Sequence, residues 1–283
     1  MRPARRASTR IQVRLRAASD LLRAAVDGHR LRAEFDDVRR FCLFIGYPRS
    51  GHSLVGSLLD AHPDVVLSHE LDVLRYVRTG RVWRNQLFAL ILRKDRAFTA
   101  EGRRWTFGFD YSVPGQWQGR HRDLRVIGDK KGGATTLWLG KQPDLLTRLR
   151  SLVRVDMRLI HVVRDPLDNI ASMHRRGSGS LRECADMYFS MCATNDAIRS
   201  RGDVLVRDVM HEDLVSDPIT VLTDLCGFLD VQPDPVHLQA CASVLYPAPH
   251  RSRDTVEWPP GLQEDIHRST KAFDFLRGYG PDR

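Results

Sequence analysis

Lysine is scarce in this 283-residue chain: it occupies only positions 94, 130, 131, 141 and 271, against 39 arginines. We read that bias as a trace of a GC-rich, bacterial coding sequence rather than as chemistry. Cysteine is also rare. The five, Cys42, Cys184, Cys192, Cys226 and Cys241, are odd in number and contain no CxxC pair. That pattern speaks against a disulfide framework or a zinc site, and is read as buried free thiols in a reducing cytoplasm. Long apolar runs are missing. The stretches around Phe41–Tyr47 and Leu87–Leu92 fall well short of the ~18 residues that span a bilayer. The N-terminus is basic but no apolar segment follows it, so no secretory signal is expected. Internal repeats and linkers are absent from the body of the chain.

An excess of charge of one sign is also missing from that body. The net charge is +9, but residues 1–40 hold 11 Arg against five acids, a net of +6, and the other 243 residues carry only +3. This argues against a dedicated nucleic-acid binder and leaves room for a small basic pocket that holds an anion. Hydrophobic residues at 42% and charged residues at 28% exclude a disordered chain. The length suits one large domain or two small ones, with a sizeable core.

Residues 1–40 read as a basic extension ahead of the folded domain, 41–283. Within it Ile11, Leu15, Ala18, Leu22 and Ala25 recur at helical spacing, with Arg10, Arg14, Arg16 and Arg23 off the stripe. Two readings stand: a helix packed back on its own domain, or weak contact with an anionic membrane surface or a partner. From residue 41 the pattern alternates. Short apolar runs at 40–46, 64–67, 124–127, 158–163 and 204–207 read as strands. Helical patterns are expected over 53–61, 70–95, 167–174, 181–199, 218–229, 235–245 and 259–276. The segment 102–122 has no period and reads as loop. Strands alternating with helices predict a doubly wound parallel α/β sheet in a single domain, with ligands bound beyond the C-terminal strand ends.

The most informative loop is Gly46-Tyr-Pro-Arg-Ser-Gly-His-Ser53, between a predicted strand and a predicted helix. This is the P-loop setting, in which a tight turn aims successive backbone N–H groups, and the start of a helix, at one oxyanion. The spacing nearly matches GxxxxGK[ST], but His52 stands where the nucleotide-contacting lysine belongs and Arg49 lies two residues before Gly51. Without that lysine an NTPase loses its main γ-phosphate charge, so the loop predicts phosphate binding rather than NTP hydrolysis. A second element follows: the strand 158–163 ends at Arg164, and Ser172 lies eight residues on. A guanidinium and a hydroxyl brought to one ligand form a phosphate clamp. The alternative is that Arg164 pairs with Asp165 or Asp168.

Together, GYPRSGHSLVGSLLDAHP and LIHVVRDPLDNIAS, with Arg49 and Arg164 separated by 115 positions, resemble the sulfotransferases that use 3′-phosphoadenylyl sulfate (PAPS). The likeness continues in Met210-His-Glu-Asp-Leu214 and spans roughly 41–280. LLDAHPDV brings it nearer the bacterial and Golgi-type branch, which includes carbohydrate and tyrosylprotein sulfotransferases. The resemblance implies a P-loop-type fold and PAPS as cofactor, with 3′,5′-adenosine bisphosphate (PAP) as product and no metal. It implies that Arg49, Ser50, Gly51, His52 and Ser53 hold the 5′-phosphosulfate and that Arg164 and Ser172 hold the 3′-phosphate. Arg251 and Arg253 would close over the nucleotide. Glu70 matches the branch's base, with His69 as runner-up. A buried carboxyl beside a nucleotide would have its pKa raised toward neutrality. Lys130, with Lys131 as rival, matches the lysine beside the transferring group. Asp129 has the alternative reading of a magnesium-holding acid. His52 replaces a usual Thr; a neutral imidazole can still donate to a phosphate oxygen, and because its cation would bind better, activity is expected to favour lower pH. The segment 108–118, with Tyr111 and Trp117, is the candidate acceptor wall. The acceptor is expected to be a small molecule, glycan or lipid rather than a nucleic acid. The competing readings are a P-loop kinase or NTPase and a non-catalytic nucleotide-binding protein.

Overall fold

The run Arg40-Phe-Cys-Leu-Phe-Ile-Gly46 has apolar side chains at every interior position, which suits a strand covered on both faces. In the computed structural model, which describes residues 19–105 and 108–280, it is the central strand of the sheet. In chain order the elements are α1 (19–30), α2 (Arg32–Asp36), β1 (Arg40–Gly46), α3 (His52–Asp60), β2 (Val65–His69), α4 (Val73–Thr79) and α5 (Arg84–Ala100). A two-stranded ribbon, β3 (Arg104–Trp105) and β4 (Phe109–Asp110), precedes β5 (Val126–Lys130), α6 (Gly133–Lys141), α7 (Asp144–Val153) and β6 (Asp156–Val163). Then follow α8 (Pro166–Arg175), α9 (Leu181–Ser200), β7 (Leu205–Met210), α10 (His211–Ser216), α11 (Pro218–Leu229), α12 (Pro235–Ser243) and α13 (Leu262–Thr270).

The sheet order is β2-β5-β1-β6-β7, and every neighbouring pair is parallel. Successive residues of a strand face opposite ways, and β1 divides accordingly. Phe41, Leu43 and Ile45 join one apolar cluster with α5 and α7. Cys42 and Phe44 join another with α3, α11 and α12. Helices therefore cover both faces, as the alternating pattern predicts. Ala24, Phe35 and Val38, from the segment before β1, are buried in the first cluster. The stripe expected from Ile11 to Ala25 lies partly outside the described residues. In the part described, Ala24 faces the core and Leu22 is exposed.

Three expectations change in detail. The helix expected over 70–95 is broken: α4 ends at Gly80 in a left-handed C-cap, and α5 starts afresh at Arg84. Glu70 has φ 62° and lies outside α4. The tail 259–276 holds α13 and a separate 3-10 turn, Asp274–Leu276, rather than one helix. The sequence analysis does not predict α6 and α7.

The loop 102–122 is pinned by a buried ion network. Arg103 donates to Asp60 (2.6 Å), Asp95 (2.8 Å) and Thr99 (2.7 Å). The second oxygens of Asp60 and Asp95 accept the N–H groups of Leu67 and Gly119. Burial, followed by the neighbouring Asp95, pushes the Asp60 carboxyl above its usual range, while Arg103 opposes the shift. Removing the guanidinium would leave two buried carboxylates with no cation. Arg103→Ala is therefore expected to lower unfolding free energy by about 3–5 kcal/mol, measured by urea denaturation. A loss below about 1 kcal/mol, the scale of an exposed pair, would show that the network is dispensable.

Candidate active site

The loop after β1 curls back toward the start of α3. Arg49 has φ 71° and Gly51 has φ 95°, left-handed conformations that turn the backbone within two residues. Gly51 is the N-cap position of α3, and a Cβ there would lie 2.6 Å from Nδ1 of His211. Glycine is thus required both by its angle and by the imidazole packed on it. Behind the loop a buried polar network holds the backbone. Gly46 N–H donates to Thr136 Oγ1 (2.9 Å), and Asn169 Nδ2 donates to the Pro48 carbonyl (2.9 Å). Tyr47 OH meets His161 Nε2 at 3.0 Å, and the other ring nitrogen of His161 meets Asp208 at 2.9 Å. Ser50 is fully buried and its Oγ is 3.2 Å from His52 Nδ1. Burial, with the nearby Lys130 charge, lowers the His52 pKa to about 3. His52 is thus held neutral, the form that can still donate an N–H to a phosphate oxygen, and this corrects the expected preference for lower pH.

The second element arrives alongside. Arg164 leaves the end of β6 with its guanidinium against the Arg49 carbonyl (3.4 Å), the His250 carbonyl and Ser252 Oγ (3.3 Å). Arg49 Nε donates to Ser172 Oγ at 3.4 Å. Arg49, Arg164 and Ser172, drawn from the two motifs, therefore meet. The alternative partners of Arg164 are engaged elsewhere: Arg253 holds Asp165 (2.6 Å) and Asp168 (2.8 Å). Arg253 thus lies beside the clamp in an ion-paired network, whereas Arg251 is at the surface, paired with Asp254 at 3.0 Å. Two buried nitrogens at this site have no hydrogen-bond partner among the described residues, Arg164 Nε and His211 Nδ1. Orphaned polar atoms beside turned backbone N–H groups fit an anionic ligand.

The third element is the pair of adjacent strand ends, β2 and β5. His69 stands opposite Lys130 in the parallel register. Lys130 is buried, and its stem passes over Gly56 of α3, where a Cβ would come within 2.9 Å of Lys130 Cγ. Its ammonium donates to Ser53 Oγ (2.8 Å) and Glu70 Oε1 (3.1 Å), with His69 Nε2 at 3.4 Å. Lys131 takes the other Glu70 oxygen at 2.9 Å. Burial pushes the Glu70 carboxyl up, but the charges and hydrogen bonds of the two lysines outweigh it and hold the pKa near 2. This corrects the expected rise toward neutrality: the carboxylate is ionised and masked by cations. Burial lowers the Lys130 pKa to about 8, against the pull of Glu70. Burial together with the Lys130 charge lowers the His69 pKa to about 2, so that ring is neutral.

Asp129 is occupied with backbone. Its carboxylate accepts from Ser68 Oγ (2.8 Å) and from the N–H groups of Leu71 (3.0 Å), Asp72 (2.9 Å) and Val73 (3.1 Å). The magnesium-acid reading would need these oxygens, and they are already engaged.

Of the two acceptor-wall candidates, Tyr111 comes to this centre, with Phe109 beside it under Arg49 at 5.3 Å. Tyr111 reaches Ser53, stacks on Phe109 (6.2 Å) and faces His69 (5.5 Å). His69 also stacks on Phe98 at 4.3 Å. Trp117 lies elsewhere, its backbone N–H on the Ala61 carbonyl and its ring under Arg120. Ala61 ends α3, at the opposite end from the loop. Sequence reasoning missed Asn169, Thr136 and the Tyr47–His161–Asp208 chain, which support the loop from below. None belongs to a local motif. His211 entered the sequence reading only as part of the segment 210–214, with no role of its own.

The profile of the "Sulfotransferase family" matches residues 43–235, about two thirds of the chain. No curated protein sequence matches. Among solved structures, the sulfotransferase domain of the Synechococcus PCC 7002 olefin synthase is 20% identical, with TM-score 0.50, over 84% of this chain and 96% of that one. Sulfotransferase STF9 from Mycobacterium avium is 14% identical, with TM-score 0.49, over 92% and 84%. Mouse sulfotransferase SULT7A1 complexed with PAP is 12% identical, with TM-score 0.45, over 85% and 87%. The structural likeness to the Synechococcus domain is one of fold, while the profile covers the P-loop, the Glu70–Lys130 centre and the Arg164 clamp together: the chain belongs to the sulfotransferase family.

Proposed function

We propose that this protein transfers the sulfuryl group of PAPS to a hydroxyl or amine of a small-molecule, glycan or lipid acceptor, with Glu70 as general base. The observation that carries the reading is the meeting of Glu70 with Lys130, Lys131 and Ser53 at the mouth of the P-loop. When bound, PAPS supplies the sulfuryl group and a leaving phosphate. The protein's part is to orient the reactants, neutralise charge and move one proton. The N–H groups of residues 49–53 and the start of α3 suit the 5′-phosphosulfate, with Arg49, Ser50, Gly51, His52 and Ser53 lining it. Arg164 and Ser172 suit the 3′-phosphate, with Arg253 bracing the acids beside them and Arg251 at the rim.

Lys130 has two roles in this reading. Its ammonium meets the charge that builds on the leaving oxygen, and an anion at the loop competes with Glu70 for it. Drawing Lys130 toward that anion leaves the Glu70 carboxylate less masked and more basic when the acceptor's proton must be taken. The catalytic set is thus Glu70 and Lys130, with neutral His52 donating one N–H. His69 and Tyr111, with Phe109, offer flat faces to a sugar or aromatic acceptor, and Trp117 lines an outer loop of the same segment. The catalytic unit is residues 41–283, with 1–40 as a basic extension. The outward Leu22 and Val26 of α1, beside Arg23 and Arg30, support weak contact of that extension with an anionic membrane surface. Among the described residues no helix is long and apolar enough to cross a membrane. Five free, buried thiols and the arginine-rich composition support a bacterial, cytoplasmic setting.

Calorimetry with PAP, compared with Mg-ATP, tests the cofactor. PAP is expected to bind preferentially without added magnesium, and Arg164→Ala to weaken it by about 1.5–3 kcal/mol. An unchanged affinity, or a preference for Mg-ATP, would overturn the clamp. Glu70→Gln is expected to retain PAP binding while slowing transfer to an acceptor found by PAPS-consumption screening by about 10²–10⁴-fold. Wild-type turnover in that variant would transfer the base role to His69 or another group. The lowered Lys130 pKa gives a third expectation. Lys130 loses its proton as pH rises through about 8, so PAP affinity should be steady at neutrality and fall above that point. Lys130→Arg, charged throughout, should flatten the profile. An equally steep fall in both proteins would assign the titration elsewhere.

A further inference from the structure

On the face of the sheet away from α5, His62, Cys226 and His237 converge although they lie far apart in the chain. All three are fully buried, and one donor atom of each lies within 4.8 Å of the others. His62 follows α3, Cys226 is on α11 and His237 on α12. The two rings meet edge to face at 5.1 Å.

Their hydrogen bonds define the tautomers. His237 Nε2 lies 2.7 Å from the Leu58 carbonyl, and His62 Nε2 lies 2.9 Å from the Gln232 carbonyl. A carbonyl accepts only, so each Nε2 carries the proton and each Nδ1 presents a lone pair. His237 Nδ1 is buried without a hydrogen-bond partner among the described residues, an orphaned acceptor of the kind that calls for a ligand. His62 Nδ1 accepts only the Asp64 N–H, at 3.1 Å. An imidazole whose far N–H is fixed on a backbone carbonyl is the arrangement that metal-bound histidines use. Cys226 supplies a soft donor. Cys241, one turn after His237, directs its Sγ to the Leu58 carbonyl at 3.5 Å, on the Nε2 side of that ring, and so stands outside the group.

We propose that His62, Cys226 and His237 form a structural site for a zinc-class cation. Two imidazoles and one thiolate are three of the N/S donors that tetrahedral zinc takes, and a water would complete the four. On binding, Cys226 loses its thiol proton to solvent, the metal takes the thiolate and Nδ1 lone pairs, and His62 gives up the Asp64 N–H. No redox step is involved. The ion would tie the end of α3 to α11 and α12. It would thereby brace the helix that opens at the P-loop and the segment that leads through β2 to Glu70. The site is remote in role from the sulfuryl-transfer centre and does not depend on that reading. No CxxC spacing announces it, because Cys226 and His237 are 11 positions apart and His62 is 164 before Cys226.

The test is anaerobic refolding of the full chain from guanidinium with Co²⁺ as spectroscopic probe, alongside metal analysis of protein purified without chelator. Refolding admits the ion before the core closes. The expected result is stoichiometric zinc in the purified protein. Refolded wild type should show a thiolate-to-cobalt charge-transfer band with tetrahedral ligand-field bands and a higher Tm than protein refolded with chelator. Cys226→Ser, checked for folding by circular dichroism, should lose most of the charge-transfer intensity, while Cys42→Ser, at a thiol outside the cluster, should keep it. Wild type that refolds with no charge-transfer band and no Tm response, or a band unchanged in Cys226→Ser, would overturn the site.

Discussion

The carboxylate of Asp129 is the fixed point on which the centre depends. It is fully buried at the end of β5 and accepts four hydrogen bonds, three of them from consecutive backbone N–H groups at 71–73. Gathering three successive N–H groups on one carboxylate forces a tight reversal, and Glu70 and Asp72 adopt φ 62° and 65° to make it. The Glu70 N–H closes the turn on the Lys130 carbonyl at 3.0 Å. One buried acid therefore sets where β2 stops, where α4 starts and how Glu70 is presented. It is also the chain neighbour of Lys130, so the Glu70 carboxylate and the Lys130 ammonium are tied to the same strand end. Burial raises the Asp129 pKa, and the Ser68 and backbone hydrogen bonds oppose that rise. Such donors stabilise the ionised form in place of water.

The charges around Glu70 show why motif position and protonation state have to be argued separately. Burial alone would have made Glu70 a poised base near neutrality, as expected from its setting. Two ammonium groups within 3.1 Å reverse the sign. The physical contest is between desolvation, which grows with burial, and Coulomb attraction, which grows in the same low-dielectric surroundings. With two cations on one carboxylate, attraction wins. Lys130 and Lys131 balance Glu70 and the neighbouring Asp129, and Arg49 adds a positive charge at the loop. An excess of fixed cations in a pocket that also leaves polar nitrogens unpaired is a site organised for an anion rather than a self-satisfied ion pair.

What was legible in the sequence is what local physics controls. The strand–turn–helix at 40–60 could be read because its glycines, apolar run and helix start are contiguous. Arg164 and Ser172 could be read because their spacing fixes them on one strand end and one helix face. The sheet order could not, since β5 enters between β2 and β1 long after both are made. Pairings that depend on which distant groups meet were equally hidden. Arg253 takes the two acids that adjoin Arg164 in sequence, and the choice is made by the fold of the 250–255 loop. Tyr111 and Trp117 are six residues apart on one loop, yet one reaches Ser53 and the other packs at the far end of α3. The helix break at Gly80 carried a signal, a glycine in a helical pattern. Glu70 carried none, because a positive φ on a glutamate is imposed by Asp129 across the sheet.

The same reasoning explains why β1 can be at once the most apolar strand and the carrier of the most polar loop. Its alternate side chains are divided between two apolar clusters, and β5 and β6 satisfy its backbone on both edges. Nothing along the strand needs water until Gly46, where the ladder ends and the N–H groups of the loop begin. The polar network of Thr136, Asn169, His161 and Asp208 takes over there, holding the loop from beneath. A loop held that way meets an anion with little further ordering. In the proposed reaction, binding energy would then go to orientation and to drawing Lys130 from Glu70 instead of to fixing backbone. The rigid sheet centre and the charge-rich rim are two consequences of one arrangement, in which the strand with no polar demands ends where the chemistry begins.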